Sequence, residues 1–295
     1  MTRAAPPRRL VFLGTPEIAV QPLRALVDAG FEIALVVTRT DKRRGRGSEL
    51  MPSPVKAAAL ELGLRVSHSV DDVLGVGADL GVVVAFGQLI KPNVLATVPM
   101  VNLHFSLLPR WRGAAPVERA LLAGDDVTGV CLMQLEEGLD TGPVYSRVVV
   151  PIGATTTADE LRRQLVDVGT KLLIEELTAG LGQPTPQQGE PTYAAKLRPE
   201  ELRIDWTRPP AEIDRLVRLG GAWTTLHGRR LKVVAAELCD PAAPPSNELR
   251  DGHVGGLRLT RVQPEGKAPM PFADFGRGAR LGAVEVLGTD SDGDT

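Results

Sequence analysis

The sequence contains few aromatic residues and carries almost no net charge. Aromatic residues make up 4% of its 295 residues, and the formal net charge at pH 7 is −2. With so few rings available for stacking on bases, any recognition of RNA would depend mainly on phosphates and on shape. Because the molecule has no overall positive field, nucleic acid could be bound only by a local cluster of basic residues.

Cysteine is scarce, and several motifs of well-known enzyme classes are missing. Cys131 and Cys239 are the two cysteines, and their spacing forms neither a CxxC pair nor a zinc site. Both are expected to be small buried apolar residues. The missing GxSxG, GxxxxGK[ST] and clustered metal-ligand patterns argue against a nucleophile-elbow hydrolase, a P-loop NTPase and a zinc enzyme. We therefore expect no metal ion.

Long hydrophobic runs are also missing. No apolar stretch reaches the roughly 20 residues that span a bilayer. The basic, proline-rich start Met1–Arg9 leads into an apolar stretch interrupted by Gly-Thr-Pro-Glu, which does not resemble a signal peptide. These features predict a cytoplasmic protein with no membrane contact.

The first part of the chain alternates short apolar strands with helical patterns, which predicts an α/β fold. Leu80–Ala85 is apolar throughout and is expected to be a central strand of a parallel-rich sheet. Thr15 and Pro16 are expected to begin a helix, with Thr15 as its N-cap. Another helix is expected over Arg112–Leu122.

The pattern changes after the segment Gly180–Pro191, which is rich in glycine, proline and glutamine and predicts a linker. One helix is expected at Pro210–Leu219, and the short strands after it predict a small β-barrel. The resulting division assigns 1–188 to an α/β domain with an inserted loop at 38–54, 189–202 to a linker, 203–289 to the barrel and 290–295 to a disordered tail.

Asn102 and His104 are the residues most suited to chemistry. They alternate along a predicted strand, Val101–Phe105, and therefore project to the same side. An asparagine amide can donate to a developing oxyanion, and a histidine can exchange a proton near neutral pH. The alternative is a packed polar pair at the sheet edge. The apolar loop that follows, Ser106–Pro109, favours the functional interpretation because it suits a flat, partly apolar ligand.

Two further features are ambiguous on spacing alone. Asp140 lies on a glycine-containing loop after a strand; it could orient His104, or it could be a turn aspartate that caps its own backbone. Lys42, Arg43, Arg44 and Arg46 give the loop 38–54 a dense positive charge. This run could be a solvated surface turn or an arm that grips phosphates.

Several short motifs, spread from about residue 9 to about 281, together match a known family. They include Val11–Glu17, Gly45–Gly47, Met51–Lys56, Ala85–Gly87, Val101–Pro116, Leu139–Pro143, Gly221–Thr224 and Gln263–Lys267. In these motifs the sequence resembles the methionyl-tRNA formyltransferases.

The resemblance implies a Rossmann-like formyltransferase domain joined to an OB-like barrel that binds tRNA. It implies 10-formyltetrahydrofolate as donor, initiator methionyl-tRNA as acceptor, no metal and a monomer. The family's catalytic trio corresponds to Asn102, His104 and Asp140, which would stabilise the oxyanion, assist proton transfer and orient the histidine, respectively. Its folate-contacting segment corresponds to Ser106, Leu107, Leu108 and Pro109. Its tRNA-gripping loop corresponds to 38–54, with the key arginine at Arg46.

Two other functions remain open. A formyltransferase acting on glycinamide ribonucleotide or on a sugar-nucleotide amine would use the same trio. The basic loop and the second domain argue against it, since between Lys196 and Lys232 there are nine Lys/Arg and five Asp/Glu residues. A non-catalytic RNA-binding protein on the same fold is the other possibility, and the intact trio argues against that.

Overall fold

The computed structural model describes residues 3–43 and 50–289, which form two compact units. The N-terminal unit comprises the chain up to Val117 together with Asp126–Ile152 and Glu160–Lys196. The C-terminal unit comprises Glu118–Asp125, Gly153–Asp159 and the chain from Leu197 onward. The helices are α1 (Val20–Asp28), α2 (Pro54–Glu61), α3 (Pro92–Thr97), α4 (Pro116–Ala123), α5 (Ala158–Ala179), α6 (Pro210–Leu219) and α7 (Phe272–Ala279).

A seven-stranded sheet forms the centre of the N-terminal unit. The strands of this unit are β1 (Arg9–Gly14), β2 (Glu32–Val37), β3 (Lys42–Arg43), β4 (Leu50–Met51), β5 (Val66–Ser67), β6 (Leu80–Val84), β7 (Met100–His104), β8 (Arg112–Gly113), β9 (Val127–Gln134), β10 (Val144–Pro151) and β11 (Tyr193–Ala194). The sheet order is β10-β9-β7-β6-β1-β2-β5. Its strands β5, β2, β1, β6 and β7 are parallel, whereas β9 is antiparallel to both of its neighbours, β7 and β10. As predicted, β6 is central and entirely buried.

Three local expectations for the N-terminal unit are wrong. Thr15 does not cap a helix, because its hydroxyl donates to the carbonyl oxygen of Phe86 and α1 begins only at Val20, after a 3-10 turn. Arg112 is not helical, since β8 pairs in parallel with β11 and α4 begins at Pro116. Part of the expected linker packs on this unit, where Thr185 forms a β-bridge with Val144.

The C-terminal unit is built on an antiparallel sheet. Its strands are β12 (Trp223–Leu226), β13 (Arg229–Leu238), β14 (Glu248–Arg250), β15 (His253–Val254), β16 (Leu257–Pro264), β17 (Met270–Pro271) and β18 (Glu285–Val286). The order is β12-β13-β16-β15-β14-β18, with β17 added beside β16. A bridge between Leu226 and Leu287 connects the two ends of this order and closes a small barrel. Its core contains Leu231 and Val233, which alternate with exposed basic residues along β13.

The two cysteines differ in environment. Cys131 is buried on β9, and burial raises the pKa of its thiol, as expected for a small core residue. Cys239 is exposed, so the expectation that it is buried was wrong. Of the helices in residues 3–43 and 50–289, none has the length and apolar character needed to cross a bilayer.

Candidate active site

The predicted trio meets at one edge of the N-terminal sheet. Asn102 and His104 lie near the carboxyl end of β7, where the neighbouring parallel strands also end. Asp140 comes from the loop between β9 and β10. Its backbone has φ of +50°, the left-handed region that an aspartate tolerates better than most residues. Residues that are 38 positions apart in sequence are thereby brought into direct contact.

Asp140 connects the other two members of the trio. One carboxylate oxygen, Oδ1, accepts a hydrogen bond from Asn102 Nδ2 at 3.3 Å. The other, Oδ2, lies 3.6 Å from His104 Nδ1 and accepts the backbone N–H of Gly113 at 2.8 Å. His104 and Asp140 are both buried, which strengthens their electrostatic interaction relative to one in water.

The contacts of His104 define the role of each ring nitrogen. Nε2 lies 2.9 Å from the carbonyl oxygen of Trp111, and because a carbonyl can only accept, Nε2 carries the hydrogen. Nδ1 faces the carboxylate of Asp140. Nδ1 is therefore the nitrogen whose protonation can change, and Asp140 is placed to compensate the positive charge when it does.

Sequence reasoning missed the residue that holds the Asp140 loop. Gln187 Nε2 donates to the carbonyl oxygens of Asp140 at 2.7 Å and of Gly142 at 2.8 Å. Its own carbonyl accepts from Arg112 Nε and Nη2 at 3.1 and 2.7 Å. Gln187 belongs to the segment expected as a linker, and no spacing rule connects it with Asp140.

Trp111, whose carbonyl oxygen accepts the hydrogen bond from His104, is positioned by a residue that is distant in sequence, Thr192. Trp111 has a positive φ of 63°, and its backbone N–H donates to Thr192 Oγ1 at 2.8 Å. The β8–β11 pairing lies directly beside this contact. No sequence signal pointed to Thr192, because its effect depends on backbone pairing 81 residues away.

The expected folate segment divides into buried and accessible parts. Ser106 and Leu108 are buried, and the Ser106 hydroxyl donates to the carbonyl oxygen of Arg110 at 2.6 Å. Leu107 and Pro109 are partly exposed. The Leu108–Pro109 peptide bond is cis. Within this segment, the side chains of Leu107 and Pro109 are therefore accessible to a ligand. Those of Ser106 and Leu108 are buried and stabilise the loop.

Apolar side chains are exposed in two loops next to the trio. Leu139, which precedes Asp140, is 61% exposed, and Leu89, in the loop after β6, is 81% exposed. Both loops leave the edge of the sheet at which the trio lies. Exposed leucines beside a polar catalytic group suit the flat, partly apolar ring system of a folate.

The basic loop is described only in part. Lys42 and Arg43 are exposed on β3, which pairs with β4 in a short hairpin. Arg44 and Arg46 lie outside the described residues. Within the described part of the chain, neither Lys42 nor Arg43 forms a hydrogen bond or ion pair with the trio.

Comparison with known proteins shows the family to which the chain belongs. The Formyl transferase family matches residues 8–177, and the Formyl transferase C-terminal domain family matches residues 196–280. Methionyl-tRNA formyltransferase of Ruegeria pomeroyi is 44% identical over 296 residues, which covers 92% of this chain and 97% of the relative. That of Thermobifida fusca is 43% identical over 311 residues, covering 96% and 100%. The chain belongs to the methionyl-tRNA formyltransferase family.

The likeness to a solved member of this family lies in the fold. The structure of methionyl-tRNA formyltransferase from Clostridium thermocellum has a TM-score of 0.57 to this chain and covers 90% of it and 99% of its own length. The sequence identity of that pair is 14%. This chain therefore shares the overall fold of that structure, with a Rossmann-like domain and a barrel in one chain, as the sequence predicted.

Proposed function

We propose that this chain transfers the formyl group of 10-formyltetrahydrofolate to the α-amino group of methionine on initiator tRNA, giving formylmethionyl-tRNA for translation initiation. The observation that carries the chemistry is the continuous network Asn102–Asp140–His104 at the carboxyl edge of the sheet. Family membership over more than nine-tenths of the chain supports the choice of acceptor. A cytoplasmic monomer is part of the same proposal.

The proposed chemistry assigns a separate role to each member of the trio. Asn102 Nδ2 has two hydrogens; one is directed to Asp140, and the other would donate to the formyl oxygen as negative charge develops there. His104 would assist movement of the proton that the amine loses to the folate nitrogen from which the formyl group leaves, taking that proton up at Nδ1 and then releasing it. Asp140 would stabilise the charged imidazole. Each such contribution typically changes a rate by ~10²–10⁴.

The residues around the trio fit a folate donor. Leu89 and Leu139 would cover the apolar faces of its ring system, and Leu107 and Pro109 would line the approach to the trio. The bound donor would supply the activated formyl group. The basic hairpin with Lys42 and Arg43, continuing to Arg44 and Arg46, would bind tRNA phosphates.

The test replaces Asp140 by asparagine in the full chain and measures formyl transfer from 10-formyltetrahydrofolate to initiator methionyl-tRNA. Asparagine tolerates the positive φ of this position, so the loop is retained while the negative charge is lost. We expect kcat to fall by roughly 10²–10³, with the donor's KM changed less than about threefold because the donor's contacts are kept. Asp126→Asn, which changes an exposed carboxylate in the same unit, is the matched control.

The choice of acceptor needs its own measurement. The wild-type chain is assayed in parallel with initiator methionyl-tRNA, elongator methionyl-tRNA, glycinamide ribonucleotide and an amino-sugar nucleotide. Selective transfer to the initiator tRNA is the expected result. Faster transfer to either small amine would refute the proposed acceptor, and full activity of the Asp140→Asn variant would refute the proposed trio.

A further inference from the structure

An arginine at the start of the inserted basic loop contacts the loop that follows β6, residues 85–90. Arg39 lies three residues before β3, and its Nη2 donates to the carbonyl oxygen of Gly87. Arg39 is half-buried, and among the described residues no carboxylate pairs with it, so the Gly87 carbonyl fixes its guanidinium. A Cβ at position 87 would lie 3.2 Å from that Nη2, which shows how closely the guanidinium packs on the glycine. Arg39 therefore joins the start of the basic loop to the loop that carries Leu89.

The end of the inserted loop reaches the same 85–90 loop by a second route. The backbone N–H of Val55, at the start of α2, donates to the carbonyl oxygen of Thr15 at 3.5 Å. The hydroxyl of Thr15 in turn donates to the carbonyl oxygen of Phe86 at 3.4 Å. Both hydrogen bonds are long and have neutral donors, whereas a guanidinium is a charged and stronger donor. Arg39 therefore supplies the stronger of the two connections.

The conformation of the 85–90 loop requires contacts of this kind. Ala85 has φ of +46° and Gly87 has φ of +66°. Such a φ is unfavourable for alanine and persists only where the surrounding structure stabilises it. Phe86 is buried and anchors one half of the loop in the core, while Leu89 in the other half is 81% exposed. Arg39 contacts the loop at Gly87, between the anchored half and the exposed half.

We infer that Arg39 is a positioning residue that couples the two substrates, so that bound tRNA raises the affinity for the folate donor and bound donor raises the affinity for tRNA. The inference rests on the proposed function. Phosphates bound at Lys42 and Arg43 restrict the backbone from which Arg39 extends, and this keeps the 85–90 loop in the conformation that presents Leu89. A donor that meets a loop already ordered loses less entropy and binds more tightly. Linkage requires the two effects to be equal.

The first test measures the Kd of tetrahydrofolate, which has no formyl group to transfer, without and with saturating initiator methionyl-tRNA. The first Kd divided by the second is the coupling ratio. For the wild type we expect a coupling ratio of roughly five to ten. Arg39→Met keeps the length of the side chain but removes its donors, so the coupling ratio should fall to about one. Arg39→Lys keeps a charged donor and should retain part of the coupling.

Arg24→Met is the matched control. Arg24 is a half-buried arginine of the same unit, and it pairs with Glu61 on α2. This variant removes one positive charge, as Arg39→Met does, so any general electrostatic effect on tRNA binding is the same in both. Its coupling ratio should equal that of the wild type. A thermal melt of each variant verifies that it is folded.

The second test disrupts the same contact from the side of the 85–90 loop. Gly87→Ala places a Cβ 3.2 Å from Arg39 Nη2, at a φ that alanine rarely adopts, so the guanidinium is displaced. The coupling ratio should again fall to about one. Because both substitutions remove one connection, the double variant Arg39→Met/Gly87→Ala should have the same coupling ratio as either single variant.

Three outcomes decide between the explanations. A wild-type coupling ratio of one or less would overturn the inference, and formyl transfer to initiator tRNA would still support the proposed function. Equal coupling ratios above one in the wild type and Arg39→Met would show that the coupling does not depend on Arg39. Absence of formyl transfer by the wild type, with a coupling ratio that still depends on Arg39, would refute the proposed function and leave the coupling standing.

Discussion

At the scale of single residues, the site depends on side chains that keep Asp140 in an unfavourable backbone conformation. A positive φ at a residue other than glycine is destabilising, and Gln187 offsets this cost through two hydrogen bonds to the carbonyl groups of the loop. Arg112 in turn fixes the Gln187 amide, because its guanidinium accepts no hydrogen bonds and must face the amide oxygen. The orientation of the carboxylate towards His104 therefore depends on a residue that touches neither Asn102 nor His104.

This arrangement predicts the effect of Gln187→Ala. The Asp140 loop loses both hydrogen bonds, so the carboxylate is displaced from His104, and displacements of about 1 Å can cost ~10² in rate. We expect kcat for formyl transfer to fall roughly tenfold to a hundredfold, with the KM of tRNA unchanged. Steady-state kinetics with both substrates varied will measure this.

Gln188→Ala is the matched control, because Gln188 is exposed beside Gln187 and takes part in none of these contacts. Gln187→Glu adds a second check, since it preserves the size of the side chain but removes the donor. Equal kcat values for Gln187→Ala and Gln188→Ala would show that the Asp140 loop keeps its conformation without the hydrogen bonds from Gln187.

At the scale of elements, the basic hairpin is anchored at both ends of the inserted loop. The hydroxyl groups of Thr38 and Ser53 are buried and lie 2.8 Å apart, and Ser53 also caps α2. Lys56 Nζ contacts both carboxylate oxygens of Asp41 at 2.7 and 2.8 Å. These two connections fix the direction in which β3 and β4 leave the sheet.

If the hairpin binds tRNA as proposed, Lys56→Met will weaken that binding indirectly. Asp41 would lose its partner and interact instead with nearby cations of the hairpin, which reduces their attraction for phosphate. We expect the KM of initiator tRNA to rise roughly threefold to tenfold, with the donor's KM unchanged. The reversed pair Asp41→Lys/Lys56→Asp should recover part of the loss.

The control for this element is Lys91→Met. Lys91 forms an exposed ion pair with Asp71, and breaking an exposed pair has little effect on stability or binding. If the KM for tRNA rises equally in Lys56→Met and Lys91→Met, then tRNA binding depends on the total charge of the protein. The contact between Lys56 and Asp41 would then make no separate contribution to tRNA binding.

Helices and strands could be predicted from the sequence where their apolar residues form a continuous run or recur at a regular spacing. β1, β6 and β9 were found because each contains a continuous run of apolar residues, and α6 agreed with its expected bounds. The helix expected over Arg112–Leu122 is present as α4, but it begins only at Pro116, because Arg112–Gly113 pairs with Tyr193–Ala194, about 80 residues further along the chain. Local propensity cannot show a pairing partner at that distance.

At the scale of the whole molecule, several carboxyl groups bind fewer protons in the folded state. Hydrogen bonds from the Arg119 side chain and the Arg198 backbone lower the pKa of Glu201 from 4.5 to about 2. Backbone N–H groups of Arg9 and Arg8 lower the pKa of Asp79. The hydroxyl of Thr207 lowers the pKa of Asp205, and the Gly282 backbone N–H lowers that of Glu285. Three of these four groups belong to the C-terminal unit.

The sign of the pH dependence follows from these directions. A carboxyl group whose pKa is lower in the folded state stabilises the fold above its unfolded value, and this stabilisation is lost as the pH falls through the folded value. For Glu201 that window extends from about 4.5 down to about 2. Acid should therefore weaken the C-terminal unit in particular.

Glu201→Gln tests this prediction. The variant should have a lower free energy of unfolding than wild type at pH 7, and the difference should shrink as the pH is lowered from about 5 to about 3. Denaturant unfolding at each pH gives both values. The exposed neighbour Glu200→Gln is the control. A difference between wild type and Glu201→Gln that stays constant across this range would exclude the ion pair with Arg119 as its source.

The sequence by itself determined the two-domain α/β and barrel organisation, the strand that carries Asn102 and His104, and the family. Hydrophobic period and short motifs are local properties, and they can be recognised without knowledge of the fold. Only the tertiary structure decided that Asp140 bridges Asn102 and His104 and that Gln187 holds its loop. These contacts join residues far apart in sequence, and their energies depend on burial and orientation, which exist only once the chain has folded.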